Sequence, residues 1–208
     1  TLEGIGPAAE LAAAGAVSVG QAADVSTSIM AAFGKEASEL TDINDILVRA
    51  ITRSKTSIAD FGISFKHVGA VAKAAGQELG DVVAMLSLMG NAGVDASMAG
   101  TGLKMGMAKL MNQTPETAET LAELGVVVKN TSGDLRNMID IVIDLEKAGA
   151  GAEQMMKIFG TRAGPALTAL LAQGGVTLKQ FAEGLKSGTT AAQIAERQMG
   201  TLAGQMLI

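Results

Sequence analysis

The sequence has no cysteine, tryptophan or tyrosine, and a single histidine. Without cysteine, the chain cannot form disulfides, thiolate nucleophiles or thiolate metal sites, and its cysteine usage does not indicate a compartment. The single histidine, His67, cannot build a histidine metal cluster, and a Ser–His–Asp triad would have to rest on it alone. We therefore expect no metal and no cofactor, and we place His67 at the rim of a helix pair.

Aromatic residues are also scarce, at 2% of the chain, and all of them are phenylalanine. The hydrophobic fraction is nevertheless 48%, with 12 methionines and 26 glycines, so a sizeable core is available to one domain or two small ones. That core has to be built from Ala, Leu, Val, Ile and Met. Because Met is flexible and Ala buries little area, we expect less stabilisation per buried residue than in an aromatic-rich domain.

Clustered positive charge is missing. The formal net charge is −5, and the 16 lysines and arginines are scattered along the chain. A protein that neutralises nucleic-acid phosphates needs a basic patch or stripe. The sequence therefore argues against direct, sequence-specific binding of nucleic acid.

Long apolar runs are missing as well, although the mean hydropathy is +0.33. A helix that spans a bilayer needs roughly 20 nearly uninterrupted apolar residues. The longest uncharged windows, Ala163–Leu178 and Val82–Val94, are shorter and contain Gly, Pro or Asn. We expect no membrane span.

The region 54–111 has the clearest helical pattern. Apolar residues recur there at steps of three and four, which predicts two amphipathic helices joined by a tight turn at Gly76, and a third helix after the Gly90–Gly93 break. The residues that carry the pattern are Ile58, Phe61, Phe65, Val68 and Ala72, followed by Val82, Val83, Leu86 and Met89.

The third helix contains Gly100-x-Gly102 and Gly102-x-x-x-Gly106. A phosphate-binding loop would need a preceding strand, and the P-loop form would need Gly-Lys-[Ser/Thr], whereas Leu103 follows Gly102. Glycines spaced in this way favour close approach of two helices, in water or in lipid. We therefore interpret Gly100, Gly102 and Gly106 as packing residues.

Polar caps and glycine stops divide the rest of the chain into further helices. The predicted starts are Ser18 with Gln21, Thr41 or Asp42, Ser57 with Asp60, Asp95 or Ser97, Thr114 with Pro115, Thr177 with Gln180, and Thr190 with Gln193. The β-branched run Val126–Val128 predicts at most one short extended segment. The expected fold is all-α, a multi-helix bundle of short helical hairpins, with a core module at 1–148 and a C-terminal section at 149–208 that continues it.

Three segments resemble one another: 14–21, 173–180 and, more loosely, 75–81. Each is a glycine stop followed by a short turn and a polar cap. Internal duplication and repeated use of the same turn chemistry both explain this pattern.

Asp42 and Asp45 lie close together at a predicted helix start. Paired carboxylates serve acid–base catalysis in some enzymes. Acidic residues in a first turn also complement the helix dipole, and we adopt that interpretation for both.

Several motifs in a fixed order resemble the core region of bacteriophage tail tape measure proteins. They begin with Thr56, Ser57, Asp60 and Gly62, and continue through Phe65, Lys66, Val68, Gly69, Asn91, Gly93, Ser97, Gly100, Thr101, Leu103, Lys104, Leu124, Gly125, Phe159, Gly160, Arg162, Ala166 and Leu170. The resemblance extends over almost the whole chain. It implies that the packing residues of the family are Phe65, Val68, Gly69, Asn91, Gly93, Gly100, Gly102, Gly106, Phe159, Gly160 and Arg162.

The resemblance also implies a setting for the protein. It would lie inside the tail of the virion, reach the host cytoplasm during assembly, and meet the host envelope after ejection. Expected partners are further copies of the chain as a trimer or hexamer, the tail tube, the tail tip or baseplate, assembly chaperones and the host membrane. Tape measure proteins are long, so we expect the sequence to be a fragment.

Three functions then compete. Glycines, Pro115 and Pro165 interrupt the helices, so the chain is not the ruler section itself, which would need long coiled-coil helices. We favour a structural module for tail assembly on a protein that sets tail length. The alternative is a membrane-active module that helps the genome cross the envelope. An enzyme is not expected, because clustered catalytic residues and an aromatic sugar cleft are missing.

Overall fold

The computed structural model describes the backbone of residues 5–205 and the side chains of residues 6–200. The described residues form α-helices, with one turn of 3-10 helix at Ala37–Glu39 before the third of them. The α-helices are α1 (Ile5–Gly15), α2 (Val19–Phe33), α3 (Leu40–Ile51), α4 (Ile58–Ala74), α5 (Leu79–Asn91), α6 (Ala96–Met111), α7 (Pro115–Glu123), α8 (Met138–Lys147), α9 (Ala152–Leu171), α10 (Gly175–Lys186) and α11 (Ala191–Gln205). The all-α prediction is confirmed.

Most of the predicted helix boundaries are confirmed because they depend on local hydrogen bonds. Ser57 accepts the N–H of Asp60, and the Asp60 carboxylate accepts the N–H of Ser57, which is a complete capping box at the start of α4. Asp95 caps α6, and Thr114 caps α7 with Pro115 at its first position. Gly34, in the left-handed conformation, ends α2.

The predicted cap at Thr177 is wrong. Helix α10 already begins at Gly175, so Thr177 lies inside its first turn. The N–H of Gly175 donates to the Glu146 carboxylate at 2.6 Å, and Gly174 adopts a φ of +84° that lets the chain enter the helix early. The partner carboxylate comes from α8, so the local pattern could not indicate this start. The resemblance of 173–180 to 14–21 therefore does not extend to the position of the cap.

The short extended segment is present where it was predicted. Val126 and Val128 are buried, Val127 is exposed, and Lys129 forms an isolated antiparallel bridge with Leu135. Gln77, which is 5% exposed, accepts the N–H of Met138 at 2.7 Å and donates to the Arg136 carbonyl at 3.2 Å. The Gln77 side-chain amide therefore connects the start of α8 to the turn between α4 and α5.

Helix α5 lies at the centre of the fold, and its predicted amphipathic character is wrong. Every residue from Val82 to Met89 is buried, including Ala84, Met85, Ser87 and Leu88 on the face that was expected to meet solvent. The reason is that α5 contacts α3, α6, α8, α9 and α10 as well as α4. The turn at Gly76 is as predicted, but α4 packs mainly on α6 and α2, not on α5.

Candidate functional region: glycine contacts between four helices

Four helices, α2, α4, α6 and α9, pack side by side in that order, and glycines lie at each contact. Between α2 and α4, a Cβ on Gly62 would lie 2.7 Å from Val25 Cγ2, and a Cβ on Gly69 would lie 2.7 Å from the Cβ of Ala32. Both distances are shorter than carbon atoms tolerate. Because Gly62 and Gly69 have no side chain, α2 and α4 can approach each other this closely.

The contact between α4 and α6 is closer still. A Cβ on Gly100 would lie 2.4 Å from the carbonyl oxygen of Ser64 and 2.8 Å from its Cα. The Ser64 hydroxyl donates to the Ala96 carbonyl at 2.7 Å, one turn earlier on α6. At Gly100 the backbone of α6 thus meets the backbone of α4.

Helix α6 presents its other two glycines to α9. A Cβ on Gly102 would lie 2.7 Å from the Cβ of Ala166, and one on Gly106 would lie 2.5 Å from Leu167 Cδ1 and 3.6 Å from Phe159 Cδ1. Helix α6 thus places Gly100 against α4 and places Gly102 and Gly106 against α9. Phe159 of α9 lies beside Gly106. We call the four packed helices with these contacts the glycine stack.

Helix α9 is broken in the middle. Gly160 has φ 71° and ψ 176°, a conformation that is essentially restricted to glycine. Phe159, directly before the break, is 1% exposed. Residues on both sides of the break contact α6: Phe159 before it, and Ala166 and Leu167 after it.

The other predicted residues lie at the edges of this region. Phe65 and Val68 are buried in α4, and the Phe65 ring packs edge-on against Phe33 with centroids 5.9 Å apart. Gly93, with φ +82°, ends α5, and the Asn91 side chain accepts the N–H of Lys55 at 2.8 Å. Arg162 is exposed after the break in α9 and is not part of the packed region.

One polar cluster was missed by the sequence analysis. Asp45 and Arg49 of α3 form an ion pair of 3.2 Å, and their side chains are 11% and 12% exposed. The dipole interpretation holds for Asp42, which lies in the first turn, but it is wrong for Asp45, which is buried one turn further on. The i, i+4 spacing of Asp and Arg was a usable signal.

Two titratable side chains, His67 and Asp81, have hydrogen-bond partners that the structure identifies. His67 is exposed, and its Nε2 lies 3.3 Å from the Ser97 hydroxyl, at the rim of α4 and α6. Partial burial raises the pKa of Asp81, and a hydrogen bond from the Asn137 amide opposes this shift. Among the described residues, no group of three or more His, Cys, Asp or Glu side chains is arranged to hold a metal ion.

Two of the recesses on the surface lie at helix ends and turns. One of about 530 Å³ lies between the end of α4 and the turn at 130–135. Another of about 150 Å³ lies where α4 and α6 begin, and beside it the Thr56 hydroxyl is buried without a hydrogen-bond partner. Within residues 5–205, no helix has both the length and the apolar character needed to cross a bilayer.

The contact between Gly102 and Ala166 can be tested with a substitution on each side. Gly102→Ala should lower the free energy of unfolding by about 1–3 kcal/mol, because the Cβ of Ala166 cannot rotate away from the new methyl group. Adding Ala166→Gly should restore most of that loss, with a coupling of about 1 kcal/mol or more between the two sites. Urea unfolding of both single variants and the double variant measures this. Strictly additive effects would contradict the contact.

Comparison with known proteins places the chain among phage proteins. The family of phage-related minor tail proteins matches residues 1–164. The tape measure protein of Pneumococcus phage Dp-1 is 26% identical over an alignment of 204 residues that covers 95% of this chain. The probable tape measure protein of Escherichia phage P2 is 32% identical over an alignment of 151 residues that covers 67% of this chain. No solved structure matches the chain significantly.

The matched part is 18% of the length of each of these two relatives. The family match ends within α9, whereas the similarity to the Dp-1 protein continues over most of the remaining chain. The names of both relatives agree with the family that the ordered motifs resemble. The chain therefore belongs to the family of phage-related minor tail proteins and is similar to phage tail tape measure proteins over nearly its whole length.

Proposed function

We propose that this chain is one compact module of a longer tape measure protein that sets tail length, acts in tail assembly and leaves the virion ahead of the DNA. The observation that supports a module, as opposed to a ruler section, is the length of its helices. The longest described helix, α9, has 20 residues and is broken at Gly160. Twenty residues rise only about 30 Å, so the helices of this fold pack into a compact module and do not form one long helix.

The proposal is tested by duplicating or deleting the module within the full-length protein of the phage. As a continuous helix, 208 residues would span about 310 Å at 1.5 Å per residue. We expect the duplicated form to give tails of unchanged length in electron micrographs, and the deleted form to give few tails. Tails that lengthen by about 310 Å on duplication would show that the module acts as a ruler.

The partners of this module are expected to be further copies of itself, in a trimer or hexamer, together with the tail tube and the tail tip. Exposed apolar side chains support an interacting surface, among them Met98 at 51%, Val127 at 63% and Val176 at 70%. Light scattering on the purified chain tests self-association. A monomer at every concentration, with no binding to purified tube protein, would contradict it.

A membrane-active module is the second candidate. The Gly102-x-x-x-Gly106 face supports it, because such faces also pack helices together in lipid. In this fold that face is buried against α9, so the stack would have to open first. Dye leakage from anionic and neutral vesicles is the test, and leakage by Gly102→Ala equal to that of the unmodified chain would argue against this role for the face.

A further inference from the structure

The first and last helices, α1 and α11, pack against each other although they are far apart in sequence. Asn44 donates its side-chain amide to the Pro7 carbonyl at 2.9 Å, and the neighbouring Asp45 accepts the N–H of Ala191 at 2.7 Å. Seven residues further along both helices, the Gln198 amide donates to the Ala14 carbonyl at 3.2 Å. The equal step on both helices means that α1 and α11 run parallel.

Apart from Leu11, the buried side chains described in these two helices are alanines. Ala8, Leu11 and Ala12 of α1 are at most 5% exposed, and Ala191 and Ala195 of α11 are 1% exposed. Alanine allows close packing but buries little apolar area. Hydrophobic burial alone therefore gives this pair limited stability, and its polar contacts become important.

Helix α3 supplies those polar contacts. Arg49 donates to the Leu185 carbonyl at 3.0 Å and to the Thr189 carbonyl at 3.2 Å, while it pairs with Asp45. Its positive charge lies at the C-terminus of α10, and the negative charge of Asp45 lies at the N-terminus of α11. Each charge thus complements the dipole of the helix it contacts. Arg53 adds a hydrogen bond of 2.7 Å to the Gly184 carbonyl.

We infer that α1, α11 and the α3 side chains Asn44, Asp45 and Arg49, here called the terminal helix pair, resist tension applied to the two ends of the module. This inference rests on the proposed function, in which the module lies within a longer chain. Because the helices are parallel, pulling the start of α1 away from the end of α11 slides one helix along the other. The contacts near Pro7, Ala191 and Gln198 are then loaded together, not one after another.

The consequence is a module that stays folded under moderate tension and opens in one step. Helix α1 packs on α2, the first helix of the glycine stack, and we expect the stack to be loaded only after the terminal helix pair separates. Loss of the Asp45 charge would leave the Arg49 guanidinium buried without its partner, and such changes are strongly destabilising. Asp45 is therefore the residue on which the pair depends most.

Single-molecule pulling tests this geometry directly. Because the chain has no cysteine of its own, pulling handles can be attached at introduced cysteines alone. Handles at Gly6→Cys and Gly200→Cys pull the start of α1 and the end of α11 in opposite directions, so that the two helices slide along each other. Handles at Gly20→Cys and Gly200→Cys pull on the start of α2 and the end of α11, so that α11 is peeled off from one end. These glycines have no atom within 4 Å of an added Cβ, so the handles should not disturb the fold. We expect a higher first unfolding force in the sliding geometry. Equal forces in the two geometries would overturn the inference.

Hydrogen exchange gives an independent measurement without handles. In Asp45→Asn, the amides of 191–199 should exchange about 100-fold faster, whereas those of α4 and α6 should keep their protection. Glu153→Gln is the matched control, because it removes a surface pair with Lys157 at 2.9 Å, far along the sequence from these contacts. A uniform loss of protection in Asp45→Asn would mean that the pair does not open separately.

These results are separable from the tail-length experiment. Equal pulling forces would remove the terminal helix pair as a mechanical element and leave the proposed module in place. Tails that lengthen with duplication would overturn the compact module, whatever the pulling forces of the isolated chain.

Discussion

Gly100→Ala is expected to lower the free energy of unfolding by about 3 kcal/mol or more. The new methyl group would lie 2.4 Å from a backbone oxygen of α4, and no rotamer change can relieve that contact. Relief requires α4 and α6 to move apart, which also separates Ser64 from Ala96. Since the chain has no tryptophan or tyrosine, far-ultraviolet circular dichroism is the suitable measurement of urea unfolding.

The control for this substitution comes from glycines that lie in helices but touch nothing. Gly20 and Gly80 have no atom within 4 Å of an added Cβ, and each lies in the first turn of a helix. Alanine at either position should be neutral or stabilise the protein by about 0.5–1 kcal/mol, because it restricts the unfolded chain. If Gly100→Ala behaved like these controls, the close contact of α4 and α6 would be disproved.

Local features of the fold could be predicted from the sequence because their partners are a few residues away. The capping box of Ser57 and Asp60, the Thr114 cap and the stop at Gly34 all use atoms within one helical turn. The break in α9 had a weaker local signal, the glycine at position 160 within an apolar pattern that otherwise continues at helical spacing. In each case the residue type and the backbone geometry are linked directly.

Features that depend on distant partners could not be predicted in this way. Asp45 bonds to Ala191 and Arg49 bonds to Leu185, and nothing near either residue indicates those positions. The burial of α5 had one signal, the lack of any charged residue from Val82 to Met89. The packing of α2 on α4 had another, since Gly62 and Gly69 of α4 both face α2. Small residues indicate that a helix is approached closely, but not by which helix.

Phe159→Ala is expected to cost about 3–5 kcal/mol of stability. Phe159 is one of the five aromatic side chains of the protein and is 1% exposed. It fills the space beside Gly106, where its Cδ1 lies 3.6 Å from the position of an added Cβ. The cavity could close only if α6 or α9 moved, because the glycines of α6 offer no side chains to fill it.

Two variants decide whether this cost reflects the position or merely the loss of a phenylalanine. Phe181→Ala removes the same atoms from a half-buried site on α10, so its cost should be clearly smaller. Phe159→Leu keeps most of the volume and should cost about 1.5 kcal/mol or less. Equal losses for Phe159→Ala and Phe181→Ala would mean that the α6–α9 contact is not tightly packed. A large loss confined to Phe159 would instead show that the glycine face of α6 needs a bulky side chain opposite it, because glycine creates the space that this ring fills.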